Sequence, residues 1–336
     1  MSARFIRGGR ATAARTVHWA AIDEAGAMAG LRFLYGLHRL LGRAPFRALM
    51  LPVVAYFMLR RPLARDASIE YLTRIGQIGP RDPRRVRLRR VARHIGAFAD
   101  ALLDKALAWS GALDLSTTEI DADPSFAEAA RRGRGGVMVV AHFGNLEVLH
   151  ALGRRLAGLR LNVLVHTRHA QRFNRLLERI NPDCATSLMQ VTELDAAAAS
   201  RLAAAVARGE WVVIAADRVP PGPAPRVAHA QFLGVRAAFP IGPWVLAAAL
   251  RCPVYWLECT KRGSVHRLRC ERLAERIELP RAGRAAALDA LARRFAERLE
   301  RACAEQPYAW FNFYPFWTPQ TGTGPGVAAE VDAHGR

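Results

Sequence analysis

The chain has 336 residues, and 51% of them are hydrophobic, which is enough to bury one large core. Its formal net charge is +20, and this excess favours an acidic partner: nucleic acid, an anionic bilayer surface or an acidic carrier protein. The five cysteines show no C-x-x-C pair and no regular spacing, so no zinc or disulfide framework is indicated.

Arginine supplies almost all of the positive charge, because Lys105 and Lys261 are the only lysines. Arginine forms paired hydrogen bonds with phosphate, which suits an acidic partner. Genomic base composition is an equally good explanation of much of the arginine excess. Charge alone therefore does not choose among the three partners.

Residues 1–65 are predicted to attach the chain to a membrane. The opening residues lack the apolar core and cleavage site of a secretory signal, so the bulk of the chain is expected in the cytoplasm. Leucines and cations alternate over residues 31–41, and residues 48–59 form an apolar run that ends at Arg60 and Arg61. This run is shorter than the ~20 residues of a spanning helix, so it indicates an interfacial helix. The alternative is a helical hairpin packed on the core.

A basic helix is predicted next. After Pro83, the spacing of Val91, Ile95, Phe98 and Leu102 is helical, and the first turn is rich in arginine. Arginines at that end oppose the helix dipole. They indicate either an external anion or simply a solvated face.

From about residue 124, short β-rich runs alternate with helical stretches, which predicts an α/β fold with a central mixed sheet flanked by helices. This domain is expected to cover residues 66–318, and residues 319–336 are expected to be a disordered tail. The predicted strands are residues 137–141, 162–165, 211–216, 253–257 and 266–270. The predicted helices are residues 147–156, 171–180, 193–207, 242–250 and 286–303.

The candidate chemistry lies where the strand over residues 137–141 runs into His142 and a turn leads to Glu147. Ligands of open α/β sheets bind at this carboxyl edge of the strands. A neutral imidazole there can act as general base, while a carboxylate behind it fixes its tautomer. The pair is therefore predicted to activate a substrate hydroxyl.

Further motifs accompany this pair. They are His166-Thr167-Arg168, Phe173-Asn174-Arg175-Leu176, Asp217-Arg218, Phe232-Leu233-Gly234, residues 238–243 and residues 310–317. With them, the chain from about residue 48 to 317 resembles the H-x4-D/E acyltransferases. Within that group it resembles the bacterial late acyltransferases of lipid A biosynthesis.

The resemblance implies a glycerolipid acyltransferase-like fold at the cytoplasmic face of the inner membrane, either peripheral or monotopic. It implies that His142 is the base, Glu147 its orienting partner and Arg168 a substrate-binding or oxyanion-stabilising group. The other residues expected at the substrate are Asn174, Asp217, Arg218, Phe239, Pro240 and Gly242. No metal or cofactor is expected. The acyl donor would be an acyl carrier protein, with coenzyme A as the alternative.

The acceptor is less closely defined. Asp217-Arg218 stands where lipid A enzymes commonly carry Asp-Gln, and residues 166–168 replace a Tyr-Arg. These departures leave three acceptors open: a lipid A-like glycolipid, a lysophospholipid, and a lipid of the aryl-polyene type.

Each assignment has a plainer alternative. His142 could cap the next helix, Glu147 could be a favourable first-turn carboxylate, and Arg168 and Arg218 could be surface charges. Residues 239–243 could be a stiff turn, and residues 310–317 are more typical of core packing or an interfacial belt.

Other chemistries lack their sequence signals. No serine lies in a G-x-S-x-G elbow, which favours direct transfer over a serine acyl-enzyme. Residues 133–136 lack the ending of a phosphate-binding loop, and no histidine pair has metal-ligand spacing. The alternative from another class is a non-catalytic basic protein that binds nucleic acid or membranes. It lacks zinc-finger, RNP and KH signatures, so no nucleic-acid partner is expected.

Overall fold

The structure is a computed structural model, and it describes only part of the chain. The described residues are 36, 43–109, 113, 116, 118–146, 148, 159–165, 186–190, 196–220, 225–263 and 265–317. Glu147, Arg168 and Asn174 lie outside them. The predicted helix over residues 171–180, most of that over residues 147–156 and the predicted tail also lie outside.

The helices and strands follow one another in the alternating order of an α/β fold. The helices are α1 Arg43–Arg60, α2 Pro62–Arg74, α3 Arg84–Trp109, α4 Pro124–Arg131, α5 Ala196–Ala207, α6 Gly242–Leu250 and α7 Arg284–Glu305. The strands are β1 Glu119–Ala122, β2 Gly136–Val140, β3 Leu161–Val165, β4 Thr186–Gln190, β5 Trp211–Ala215, β6 Val227–Phe232, β7 Val235–Pro240, β8 Val254–Arg262 and β9 Val265–Ala274.

The central sheet has seven strands in the order β1-β9-β8-β2-β5-β3-β4. The neighbours from β8 to β4 run parallel, whereas β9 is antiparallel to β8, and β1 is parallel to β9. The predicted α/β fold with a mixed sheet is thus confirmed. All five predicted strands are present, and so are the predicted helices α3, α5, α6 and α7.

Strand β2 lies in the middle of this sheet and is buried on both faces. Val137 and Val139 belong to the apolar core on one face, and Met138 and Val140 belong to the core on the other. Side chains alternate between the two faces of a strand, so a strand covered on both sides needs a continuous apolar run. The loop that follows β2 therefore starts from a rigid, fully buried strand.

The other two strands, β6 and β7, form a separate antiparallel hairpin that packs against α7. Leu233 and Gly234 connect them with φ angles of 51° and 78°. Two positive φ angles in a two-residue connection are typical of a type I′ turn, whose usual sequences are Asn-Gly and Gly-Gly. The backbone N–H of Leu233 donates to Glu300 Oε2 at 3.1 Å, which anchors the turn to α7.

Helix α1 carries the predicted apolar run. Val54 and Met58 pack against the core, while the helix also leaves large apolar side chains exposed. The exposed ones are Leu49, Leu51, Val53, Tyr56, Phe57 and Leu59. Within the described part of the chain, no helix is long and apolar enough to cross a membrane.

His94 of α3 is buried between α2 and residues 308–317, which follow α7 and are here called the C-terminal segment. Its Nε2 lies 2.8 Å from the carbonyl oxygen of Trp310, and its Nδ1 lies 2.8 Å from Ser68 Oγ. Because a carbonyl only accepts, Nε2 carries the proton and the Ser68 hydroxyl donates to Nδ1. Burial lowers the pKa of His94 from its ordinary value of 6.5 to about 4.

We predict that His94 makes the protein acid-sensitive. Between pH 6.5 and 4 the unfolded chain binds a proton at this site that the folded chain does not. The free energy of unfolding therefore falls by about 3 kcal/mol as the pH falls through this window. Urea unfolding of wild type and of His94→Gln across this pH window measures how much of the fall in the free energy of unfolding comes from His94. Parallel stability curves for the two proteins would contradict the prediction.

Candidate active site

The site forms where β2 and β5 end side by side. The two strands are parallel neighbours with Val140 opposite Ala215, and the backbone N–H of Ala216 donates to the carbonyl of Val140 at 2.9 Å. His142 follows β2 and Asp217 follows β5. Their adjacency is therefore a direct consequence of the strand register, and it lies at the edge where α/β sheets bind ligands.

Asp217 and His142 are joined by two hydrogen bonds. The Nδ1 atom of His142 lies 2.8 Å from Asp217 Oδ1, and the backbone N–H of His142 donates to Asp217 Oδ2 at 2.9 Å. The indole Nε1 of Trp310 donates to the same Oδ2 at 3.1 Å. Both oxygens of a buried carboxylate are thus occupied by donors, and the imidazole is held from its inner side.

The electrostatics keep Asp217 ionised. Burial of its carboxyl opposes ionisation, but the His142 ring, its two hydrogen bonds and the Arg218 charge outweigh burial and lower the pKa of Asp217 to about 2. Ionised Asp217 can only accept, so the proton of a neutral His142 lies on Nδ1. The lone pair then lies on Nε2.

His142 itself is kept neutral. Burial of the ring, and next the charge of Arg218, lower its pKa below the ordinary value, against the opposing charge of Asp217. The side chain nevertheless keeps 39% of its surface exposed, while that of Asp217 keeps 2%. A neutral ring with an oriented lone pair and an exposed side is suited to general-base chemistry near neutral pH.

Among the described residues, the carboxylate that contacts the His142 imidazole is that of Asp217. The motif pattern assigns the orienting role to Glu147, which lies outside the described residues, so that assignment stays a prediction. Among the described residues, Asp217 holds the imidazole, although the sequence places it with the substrate-binding residues. The arrangement of base and buried orienting carboxylate is the one that nucleophile-activating enzymes use.

The turn after His142 is packed between β8 and the C-terminal segment. Gly144 donates its backbone N–H to the carbonyl of Ala309, and Asn145 donates to the carbonyl of Cys259, both at 2.8 Å. Gly144 has a φ of +65°, and a Cβ built on it would lie 1.9 Å from the Cys259 carbonyl oxygen. The turn therefore requires glycine for both its conformation and its space.

The C-terminal segment also supports the loop from the other side. Phe143 forms an antiparallel bridge with Trp310, and the backbone N–H of Phe311 donates to the carbonyl of His142 at 2.8 Å. Arg218 Nη2 donates to the carbonyl of Phe311 at 3.0 Å, and the guanidinium lies 5.7 Å from the centre of the Tyr314 ring. The segment thus connects His142 with Arg218.

The other predicted substrate residues lie on and after the hairpin. Phe239 is fully buried, with its ring against Phe232, Phe295 and Phe316. Pro240 is buried at the end of β7, and Gly242 is exposed at the start of α6. The structure therefore brings His142, Asp217 and Arg218 together and places Phe239 in the core.

Two residues that touch the pair were not among the predicted site residues. Trp310 donates to Asp217 Oδ2, and the hydroxyl of Tyr314 lies 3.5 Å from the carbonyl oxygen of Asp217. Both lie in the aromatic stretch that the sequence assigns to core packing or a membrane belt. The direction of an indole N–H depends on tertiary packing, so the sequence carries no signal for this contact.

Among the residues that the structure describes, no group of three or more histidine, cysteine, aspartate or glutamate side chains could hold a metal ion. Comparison with models of known protein families found no matching model, and comparison with curated proteins found no similar sequence. The residues and geometry of the site are therefore the basis for inferring a function.

We predict that Gly144→Ala distorts this turn. The new methyl group would lie 1.9 Å from a backbone oxygen, so the loop carrying His142 has to move. Gly263→Ala is the matched control, because Gly263 has nearly the same φ, +63°, but no atom lies within 4 Å of its Cβ position. Positive φ costs both variants roughly 1 kcal/mol. Thermal unfolding should show a clearly larger loss for Gly144→Ala, and equal losses would refute the steric argument.

Proposed function

We propose that the protein is an acyltransferase of the lipid A late acyltransferase type. It transfers a fatty acyl group from an acyl carrier protein thioester to a hydroxyl of a lipid A-like glycolipid or a related membrane lipid. The observation that carries the proposal is the His142–Asp217 pair, with its fixed Nδ1 proton and its partly exposed ring at the carboxyl edge of the sheet. We also propose that the fold is of the glycerolipid acyltransferase type, which the mixed α/β sheet and the accompanying sequence motifs support.

In the proposed reaction, Nε2 of His142 removes the proton of the acceptor hydroxyl. The oxygen attacks the thioester carbonyl carbon and gives a tetrahedral intermediate. Collapse of this intermediate breaks the carbon–sulfur bond, and the imidazolium returns its proton to the thiolate that leaves. Asp217 stabilises the imidazolium between the two proton transfers, so the enzyme ends the cycle unchanged.

The tetrahedral oxyanion needs a donor or a cation. Arg218 is the best candidate among the described residues, because its positive charge acts on His142 and its guanidinium is anchored on Phe311. Arg168 remains the predicted second candidate. A fixed cation where negative charge develops stabilises the transition state more than the ground state.

Direct transfer is favoured over a thiol acyl-enzyme. Cys252, Cys259, Cys270 and Cys303 are all buried, and burial raises the pKa of Cys252 to about 11 and raises the pKa of Cys270 and Cys303 further. A cysteine nucleophile has to be ionised and accessible. The four cysteines that the structure describes do not meet these conditions.

We predict that His142→Ala lowers transfer by about 100- to 10,000-fold, because the general base is lost. Asp217→Asn should cause a comparable loss, since an amide favours the wrong tautomer. His229→Ala is the control, because His229 is exposed on β6, a strand of the separate hairpin and not of the central sheet that carries His142 and Asp217. Acyl transfer to a lipid acceptor, measured with folded variants, tests this. Wild-type turnover by His142→Ala would exclude the mechanism.

The same assay shows whether Asp217 or Glu147 orients the imidazole of His142. Glu147→Gln is expected to retain a little activity. A smaller loss for Glu147→Gln than for Asp217→Asn would assign the orienting role to Asp217, and the reverse order would assign it to Glu147.

Membrane attachment through α1 is part of the proposal. Its exposed apolar side chains are followed by the exposed cations Arg60 and Arg61 at the end of the helix. An apolar surface edged by positive charge suits the headgroup boundary of an anionic bilayer. The proposed location is accordingly the cytoplasmic face of the inner membrane.

We predict that Leu51→Glu with Leu59→Glu weakens binding to vesicles that contain anionic lipid. These two side chains are 66% and 77% exposed, so the change should leave the fold intact. Ile120→Glu is the control, because Ile120 is also exposed, at 45%, but lies on the edge strand β1. Flotation with vesicles measures binding. Undiminished binding of the double variant would locate the attachment elsewhere, for example in residues 28–42.

The donor is proposed to dock on a basic stripe of α3, formed by the exposed residues Arg85, Arg89 and Arg93. Arg93 lies over the ring of Tyr308 at 4.4 Å, which connects the stripe to the C-terminal segment that supports the site. Arg90 is unsuitable for docking because it pairs with Asp82 at 2.6 Å. An acidic carrier protein complements such a stripe.

We predict that Arg85→Glu with Arg89→Glu raises the KM for acyl carrier protein and reduces its salt dependence. Exposed charges are screened over about 10 Å at 0.1 M salt, so steering of wild type should weaken between roughly 0.05 and 0.3 M. Arg281→Glu with Arg284→Glu is the control, because it changes the charge equally at two exposed positions, one just before α7 and one at its first residue. If coenzyme A thioesters serve equally well, or the salt response is flat, this donor is wrong.

A further inference from the structure

The segment 309–314, here called the strap, is a structural part of the site. Its backbone accepts from Gly144, donates to the carbonyl of His142 and accepts from Arg218. His94 donates to its Trp310 carbonyl from the opposite side. The strap is therefore fixed between α3 and the loop that carries the base.

Within the strap, Trp310 is held rigidly. Its side chain is fully buried, and its ring makes edge contacts with Tyr71, Phe232 and Phe316 at centroid distances of 5.0 to 5.2 Å. A ring packed edge-on against several other rings in a core can adopt few orientations. The direction of the indole N–H is thereby set by the core.

We propose that Trp310 is a positioning residue for the base. Its N–H holds Oδ2 of Asp217, so that Oδ1 faces Nδ1 of His142 and Nε2 points outward. Trp310 is 0% exposed and therefore acts through Asp217 without touching a substrate. The expected loss of catalysis rests on the proposed function, whereas the expected change in the titration of His142 does not.

The bonding around Asp217 supports this role. Oδ1 accepts from Nδ1 of His142, and Oδ2 accepts from the backbone of His142 and from Trp310. A carboxylate turns about one bond, and a donor on each side limits that rotation. Without the indole donor, both remaining hydrogen bonds of the carboxylate come from His142, and the carboxylate loses its hydrogen bond to the aromatic core.

Two consequences follow from losing the indole N–H. The carboxylate is less well oriented, which lowers kcat about 10-fold and leaves KM unchanged. The negative charge of Asp217 is also shared among fewer hydrogen-bond donors. Asp217 therefore becomes a stronger acceptor and stabilises the imidazolium of His142 more. The pKa of His142 should then move upward.

The chain contains a matched control for this substitution. Trp256 on β8 is also buried, and its Nε1 donates to a buried carboxylate, Glu258 Oε2, at the same distance of 3.1 Å. Trp256→Phe and Trp310→Phe therefore remove the same chemical group from the same core. Only the second removes a donor from Asp217.

The test is the pH dependence of His142 carbethoxylation by diethyl pyrocarbonate in the full-length protein, with modified peptides quantified by mass spectrometry. The reagent reacts with the unprotonated ring, so its rate reports the pKa of His142 without any assay of transfer. We expect a higher midpoint for Trp310→Phe than for wild type and Trp256→Phe. Equal midpoints in the three proteins would overturn the proposal.

Phenylalanine could leave a cavity that unfolds the chain. Site-specific β-(3-benzothienyl)alanine in place of Trp310 keeps the bicyclic shape and exchanges the N–H for sulfur. It should reproduce the shift of the midpoint and the loss of kcat at unchanged KM. A folded isostere with wild-type titration of His142 would exclude positioning by the indole. A shifted midpoint without any acyl transfer by the wild type would instead refute the proposed function alone.

Discussion

The site depends on one buried carboxylate. Asp217 is almost fully enclosed, yet its pKa is lowered to about 2, because the donors and charges around it outweigh the effect of burial. An uncompensated charge in that position would cost several kcal/mol. The backbone of His142, its ring and Trp310 together supply the compensation. The same bonds that make the buried charge tolerable also orient the imidazole.

Three separate parts of the chain have to meet for this to happen. The register of β2 and β5 brings His142 and Asp217 together, and the sharp turn at Gly144 directs the loop against β8. The strap then adds Trp310 and is itself held by His94. The packing of α2 and α3 is therefore coupled to the geometry of His142, although both helices precede it by more than 30 residues in sequence.

Much of this could be predicted from sequence. Buried parallel strands are continuous apolar runs, and both His142 and Asp217-Arg218 follow such runs, so their common edge could be inferred. The hairpin could not, because Leu233 occupies a turn position where asparagine or glycine gives the usual signal. Strand β1 is a mostly exposed, polar edge and has no apolar periodicity. Which carboxylate reaches Nδ1, and that Trp310 assists it, depends on side-chain directions that only packing determines.

The most direct test is the tautomer of His142, observed by nitrogen NMR of protein labelled with 15N-histidine. The signals of His142 can be assigned by comparison with His142→Gln. We expect a single neutral form with the proton on Nδ1, which persists below pH 6.5 because the pKa of His142 is lowered. In Asp217→Asn this preference should disappear. A proton on Nε2, or a mixture of the two tautomers in the wild type, would contradict the assignment of His142 as a base oriented by Asp217.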